Sequence, residues 1–112
     1  MKITIPIKPL SYNGVLKRSK QGRMFLTPEG KAYKEELGWA FKSTGVMYLG
    51  PVCVDLEFVM KDMRTDPANC IKMVLDAMQG HVLKNDRQVR ELTMKSTIDK
   101  LNPSITVTVR EL

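Results

Sequence analysis

Five polar residues that can take part in phosphate chemistry lie close together in the sequence: Asp66, Asn69, Lys72, Asp76 and Asp86. Carboxylate and amide oxygens are the ligands that hard divalent cations prefer, and a lysine ammonium stabilises charge that develops on a phosphate oxygen. In a small basic protein, this combination indicates a divalent metal ion directed at a phosphate backbone.

Helix geometry separates these residues into two sets. A capping aspartate followed by proline predicts a helix over residues 66–79, and Gly80 ends it. Ten helical residues place Asp66 and Asp76 about 15 Å apart, so their carboxylates cannot ligate one ion. The segment after Gly80 can just return to the helix start, so Asp86 can converge with Asp66.

The predicted helix has one apolar and one polar face. Its core-facing positions follow helical spacing, namely Ile71, Val74, Leu75 and Met78. Asn69, Lys72 and Asp76 then share the opposite face, and Lys72 lies about 9 Å along the axis from Asp66. At that distance its long side chain can reach a scissile phosphate.

Each of these polar residues also has an ordinary structural interpretation. Asp66 can act only as an N-cap, Asn69 can brace the helix start, Lys72 can be solvated and Asp86 can cap a turn. His81 is the only histidine and follows Gly80, which favours a helix-end residue over a ligand or base.

The positive charge is concentrated near the N-terminus. The chain has 112 residues and a net charge of +6, and residues 1–28 contain no acid. The basic residues of that segment are Lys2, Lys8, Lys17, Arg18, Lys20 and Arg23. A segment of one sign beside a neutral body suits an anionic polymer, and a solvated basic loop is the alternative. Prolines and glycines interrupt any helical period, which argues against a membrane-surface helix.

Length and composition predict one soluble domain spanning residues 1–112, with 43% apolar and 27% charged residues. No apolar run approaches a membrane span, and the N-terminus lacks the apolar core of a signal peptide, so we expect a cytoplasmic protein. Cys53 and Cys70 stand apart from each other and from any histidine cluster, so we expect buried thiols without chemistry.

Periodicity predicts an α+β fold with two helices packed on a small mixed β-sheet. The remaining predicted elements are a strand over 2–7, a loop over 9–21, a short strand over 23–26, a helix from 27 to about 45, and strands over 51–60, 87–96 and 104–110. In the first helix, Tyr33, Leu37, Ala40 and Phe41 form a core stripe. Trp39, close to that stripe, is assigned to the core rather than to a nucleic-acid stacking surface.

Taken in order, several motifs resemble those of the RusA-type Holliday junction resolvases. The first is IPIKPLSYN near the N-terminus, and the second is the helix start TPEGKAYKEEL. The third is a spaced motif that runs from RTDPAN through Lys72, LDAM and Gly80 to NDRQV. The resemblance covers nearly the whole chain. It implies a homodimeric, Mg²⁺-dependent endonuclease of bacteria or their phages that cuts paired strands of branched DNA. It further implies that Asp66 and Asp86 are catalytic metal ligands and that Lys72 is the catalytic lysine.

The polar helix face and the charge distribution add supporting roles. Asn69 and Asp76 are predicted to lie around the metal ligands, and the basic N-terminal segment is predicted to grip the junction. The residues assigned to DNA binding are Lys8, Asn13, Lys17, Arg18, Lys20 and Arg23.

One position departs from the family pattern. Where the motif has a second aspartate, this chain has Ala68. A methyl group cannot ligate a metal, so the loss weakens Mg²⁺ binding and misplaces the attacking water. Because the other motif positions are intact, we expect that this carboxylate alone has been lost. A non-catalytic protein that binds branched DNA is therefore the alternative, whereas an RNA-binding module of ribosomal type leaves Asp66, Lys72 and Asp86 without a role.

Overall fold

A computed structural model describes all 112 residues and confirms the α+β fold. The elements in chain order are β1 (Lys2–Ile5), α1 (Tyr12–Val15), β2 (Leu16–Arg18), β3 (Met24–Leu26), α2 (Pro28–Lys42), β4 (Val52–Met60), α3 (Ile71–Met78), β5 (Val89–Ile98) and β6 (Ser104–Glu111). Single 3₁₀ turns, Pro67–Cys70 and Asp86–Gln88, precede α3 and β5.

The main sheet has four strands in the order β1-β6-β4-β5. β4 lies between two neighbours, antiparallel to β6 and parallel to β5. Its alternate residues are buried from Val52 to Met60, as period-2 patterning predicts. In β6, Ile105, Val107 and Val109 are buried in the same way. The last strand thus forms where its alternation places it, whereas β5 spans Val89–Ile98 instead of the predicted 87–96.

The helices cover one face of this sheet. Leu37 and Phe41 of α2 and Phe58 of β4 are almost fully buried in one hydrophobic core. α2 begins as its sequence predicts, because the Thr27 hydroxyl accepts a hydrogen bond from the Gly30 N–H at 3.2 Å. It ends before Gly45, whose φ of 68° suits glycine. No helix is both long enough and apolar enough to cross a membrane, the longest having 15 residues.

The predicted loop over 9–21 is wrong in part. Residues 12–18 of this segment form α1 and β2, and β2 pairs antiparallel with β3 to make a two-stranded hairpin. The turn between them contains Gly22, with a φ of 81°. The short strand predicted over 23–26 is confirmed as β3, whereas β2 was missed because three residues are too few to show alternation. We call residues 16–26 the basic hairpin.

The predicted helix over 66–79 is divided. Residues 67–70 form a 3₁₀ turn, and the α-helix proper starts at Ile71. The predicted core face is also shifted: Val74 and Met78 are buried as expected, but Met73 and Ala77 are buried as well, whereas Ile71 and Leu75 are only half-buried. Because α3 packs against α2, its buried face is rotated towards Met73 and Ala77, and Ile71 and Leu75 lie at the margin of that face.

The assignment of Trp39 to the core is wrong. Its side chain is 62% exposed, and Lys42 Nζ lies 5.2 Å from the centre of its ring. Trp39 is two residues from both Leu37 and Phe41, and two residues of helix turn the side chain by about 200°. Trp39 therefore points away from the face that those two residues bury.

Candidate active site

Three of the five sequence-selected residues meet at the surface of α3. Lys72 Nζ lies 2.9 Å from Asp76 Oδ1 and 3.4 Å from Asp86 Oδ2. Lys72 and Asp76 are one helical turn apart, whereas Asp86 comes from the 3₁₀ turn before β5. The lysine side chain is about half exposed, and the two carboxylates are partly shielded. A solvent-facing cluster of one ammonium and two carboxylates results.

Gln88 holds Asp86 in this position. Its side-chain oxygen accepts hydrogen bonds from the backbone N–H groups of Lys84 and Asn85, at 2.8 and 3.0 Å. Its side-chain nitrogen donates to the carbonyl oxygens of Tyr48 and Gly50, at 2.8 and 2.9 Å.

The Asp86 turn is thereby fastened to the segment that leads into β4. Sequence reasoning missed this role, although the spacing of Asn85 and Gln88 matches a capping box and offered a signal.

Asp66 occupies the other end of the helical segment. Its carboxylate accepts a hydrogen bond from the Ala68 N–H at 3.0 Å, so it is the N-cap that the sequence predicts. Its backbone oxygen accepts from the Asn69 N–H at 3.1 Å, and Asn69 is exposed on the same turn. The structure thus brings Asp86 to Lys72 and Asp76, whereas Asp66 is engaged with its own turn.

The site offers the oxygen donors that a hard cation prefers, but it has fewer carboxylates than the sequence pattern expects. No three Asp, Glu, His or Cys residues lie close enough together to hold a metal ion. Asp66 and Asp86 provide oxygen donors of the type that Mg²⁺ prefers, and Mg²⁺ in phosphate sites needs only one or two carboxylates. Ala68, exposed and two residues from Asp66, stands where the sequence pattern expects a further carboxylate.

The charge of Lys72 is stabilised by its neighbours. The hydrogen bond to Asp76 raises the pKa of the ammonium, the partial desolvation of the site opposes this, and the contact with Asp86 adds to the increase. Lys72 therefore carries a full positive charge at neutral pH and can donate hydrogen bonds to an anionic ligand.

The basic hairpin displays its charges to solvent. Lys17, Arg18, Lys20 and Arg23 are all exposed on its strands and turn, and Asn13 is exposed on α1 just before it. Lys8 lies elsewhere, in a polar depression of about 240 Å³ that Lys61 and Arg64 also line. The last two residues lie just before Asp66 and were not selected from the sequence, because isolated loop cations give no pattern.

The histidine and the cysteines lie outside the cluster. His81 is half-buried after α3. Cys53 and Cys70 are buried free thiols, as predicted. Burial raises the pKa of both, to about 11 for Cys70, so neither is a reactive thiolate at neutral pH.

An α+β domain that combines a surface acid–lysine cluster with a separate basic hairpin has the features of a protein that acts on a nucleic-acid backbone. Residues 6–110 match the family model of endodeoxyribonuclease RusA, so the chain belongs to the RusA family. This family consists of metal-dependent endonucleases that resolve Holliday junctions, and it is typical of phages and prophages. A comparison with individual curated proteins gives no significant match.

Proposed function

We propose that this chain binds four-way DNA junctions as a homodimer and nicks paired strands in a Mg²⁺-dependent reaction. The reaction is slow because Ala68 provides no carboxylate. The observation that carries the proposal is the approach of Lys72 to Asp86 in a chain whose residues 6–110 match a junction-resolving family. The two residues are 14 positions apart in sequence, and the Gln88 contacts hold the turn that brings them together.

The roles follow from the chemistry of each side chain. Asp66 and Asp86 would hold Mg²⁺ together with phosphate oxygens of the DNA. When bound, the ion polarises the phosphate and lowers the pKa of a coordinated water. Lys72 donates hydrogen bonds to the phosphoryl oxygen on which charge develops. Asp76 positions Lys72, because its carboxylate holds the ammonium at 2.9 Å.

Ala68 sets the expected activity of this chain. Two carboxylates bind Mg²⁺ more weakly than three and leave the attacking water less well oriented. The chain therefore binds junctions well and cuts them slowly. The second candidate, a branched-DNA-binding protein without activity, is favoured by the same residue and by the absence of a three-ligand cluster.

The basic hairpin is proposed as the main DNA contact. Its four exposed cations can each neutralise a phosphate and release counterions. Lys8, Lys61 and Arg64 line a second depression together with one acid, Asp62, and we propose that these cations hold a further stretch of the backbone.

An uncovered stripe on β5 supports the homodimer. In the β4–β5 register Leu92 pairs with Val54 and Ile98 pairs with Met60, and both β4 residues are buried. Leu92 and Ile98 therefore lie on the same face of the sheet as the core. Because no helix covers this edge, Leu92 remains 43% exposed and Ile98 51%. A second copy packed there would bury the stripe, and a two-fold dimer suits the near two-fold symmetry of a four-way junction.

The direct test is cleavage of a labelled synthetic four-way junction with and without Mg²⁺, with a linear duplex of the same sequence as control. We expect tight junction binding and slow, Mg²⁺-dependent nicking of opposing strands. Binding with no nicking at any Mg²⁺ or Mn²⁺ concentration would favour the non-catalytic candidate, and equal affinity for the linear duplex would contradict junction selectivity.

A further inference from the structure

The largest concavity of the molecule lies beside α2, away from the Lys72 cluster. It has a volume of about 470 Å³ and is formed by one side of α2, by Leu26 at the end of the basic hairpin, and by Ala77 and His81 at the end of α3. We call it the α2 groove. None of the roles proposed above uses it.

An exposed tryptophan lies in this groove. Trp39 is 62% exposed, and the Lys42 ammonium lies over its ring, 5.2 Å from the centre. Most of the indole surface is thus open to a flat ligand. Burying an aromatic ring is strongly favourable, so one left in a concave site indicates a ligand that covers it.

The charge of the groove is positive. Lys31, Lys34 and Lys42 line it, together with a single acid, Glu35. An aromatic platform surrounded by ammonium groups suits a nucleotide, because the base stacks on the ring and the phosphates pair with the lysines.

His81 forms part of the groove wall because α2 has a glycine opposite it. The His81 Nε2 atom lies 3.0 Å from the position that a β-carbon on Gly38 would occupy. A larger residue at 38 would push the ring outward and narrow the groove. The close approach of α2 to the end of α3 therefore shapes this site.

The groove adjoins one of the surfaces proposed above to bind DNA, because Leu26 is at the end of the basic hairpin. Its other end is formed by Ala77 of α3, whereas Lys72 lies five residues earlier and about 140° around that helix. A strand held by the basic hairpin therefore lies next to the groove, on a different side of α3 from Lys72.

We propose that the α2 groove binds an unpaired nucleobase of the branched DNA, stacked on Trp39, with the adjacent phosphates held by Lys31 and Lys34. The inference rests on the proposed function for the choice of DNA as ligand. It adds a preference for substrates with an unpaired base near the branch point.

Trp39 is the only tryptophan in the chain, so its fluorescence reports on this groove alone. The experiment titrates the intact protein, without divalent metal, with an oligothymidylate of about eight nucleotides, with a blunt duplex carrying the same number of phosphates, and with thymidine 5′-monophosphate. We expect saturable quenching by the oligothymidylate, much weaker quenching by the duplex, and quenching by the mononucleotide only at far higher concentration.

Variants complete the test. Trp39→Ala should weaken oligothymidylate binding, followed by anisotropy of a labelled strand, by about 5- to 150-fold, the range for one stacked base. Trp39→Phe should restore most of the loss. Leu101→Ala, at an exposed apolar residue 62 positions away in sequence, serves as the control and should change nothing.

Several results would overturn the inference. They are no quenching by oligothymidylate, equal quenching by the duplex, equal quenching by the mononucleotide, or unchanged affinity in Trp39→Ala. If any of these occurs while the parent chain still binds and nicks a fully paired junction, only the groove assignment fails. If junction binding is absent too, the proposed function fails with it.

Discussion

Lys72 lies between two carboxylates, and this arrangement gives it a distinct kinetic signature. In a background with a restored carboxylate at position 68, we expect Lys72→Ala to lower the nicking rate by about 10²-fold or more. Junction affinity should stay nearly unchanged, because the basic hairpin is the surface proposed to make most of the phosphate contacts. Single-turnover cleavage and a binding titration on one junction measure both quantities.

Lys84→Ala provides the matched control, since Lys84 is an exposed lysine two residues from Asp86 that forms no contact within the cluster. Its rate should equal that of the parent. If Lys72→Ala loses affinity but keeps its rate once the substrate is saturating, Lys72 docks the DNA and does not act on the reacting phosphate.

The chemistry of these residues was easier to predict than their grouping. Asp66 was correctly predicted as an N-cap, and the separation of Asp66 from Asp76 follows from helix length alone. The pairing of Asp86 with Lys72 depends on Gln88 contacting carbonyls about 40 positions earlier in the chain, which no local pattern encodes. The predicted convergence of Asp66 and Asp86 on one ion remains a prediction.

At the scale of elements, α2 is locked against α1 by a glycine. A β-carbon on Gly30 would lie 2.8 Å from the Val15 β-carbon, and Val15 is buried. Replacing glycine by alanine within a helix normally stabilises a protein, but here the overlap reverses the sign. We expect Gly30→Ala to lower the free energy of unfolding by about 1–3 kcal/mol, measured by urea denaturation.

Gly14→Ala is the control for this substitution, because no atom lies within 4 Å of the added carbon. Its free energy of unfolding should equal that of the parent or exceed it by up to about 1 kcal/mol. A Gly30→Ala protein as stable as the parent would mean that α1 shifts freely and does not anchor the basic hairpin.

The basic hairpin carries a prediction about salt. Replacing Lys17, Arg18 and Lys20 by alanine should weaken junction binding and flatten the dependence of log K on log salt by about 0.9 for each lost phosphate contact. The matched control replaces Lys2, Lys95 and Lys100, three exposed lysines outside the hairpin. If log K depends on log salt with the same slope in both triple variants, the net charge of the whole protein attracts the DNA. The basic hairpin is then not the DNA interface.

The long elements were predicted from their periodicity, whereas among the short ones β3 was predicted and β2 was not. The alternation of β4 and the cap of α2 specify these elements locally, and both form as predicted. The three-residue β2 and the 3₁₀ turn before α3 lack enough residues for a period to appear. The wrong assignment of Trp39 to the core has a different cause. Its position two residues from both Leu37 and Phe41 already indicated the outer face of the helix.

At the scale of the whole molecule, the uncovered core face of β5 predicts self-association. We expect the parent chain to run as a dimer in size-exclusion chromatography with light scattering. A Leu92→Lys/Ile98→Lys variant should run as a monomer, because each substitution places a charge in the proposed interface. Leu49→Lys, at another exposed leucine, should remain dimeric. A monomeric parent, or a dimeric double variant that keeps its fold, would exclude this surface.

The central claim is that the chain has the machinery of a junction-cutting nuclease and lacks one carboxylate. Ala68 is exposed, and its N–H already contacts the Asp66 carboxylate, so an aspartate can be added there without disturbing the core. The start of the helical segment also favours a negative charge.

The decisive measurement compares the parent with Ala68→Asp on one labelled four-way junction across a Mg²⁺ titration, with Ala68→Asn as a control of similar size but without charge. We expect equal junction affinity in all three proteins and nicking that rises by at least about 10²-fold only in Ala68→Asp. A parent that already cuts at the rate of Ala68→Asp would contradict the role assigned to position 68. Binding by all three proteins without cutting by any of them would contradict the catalytic account itself.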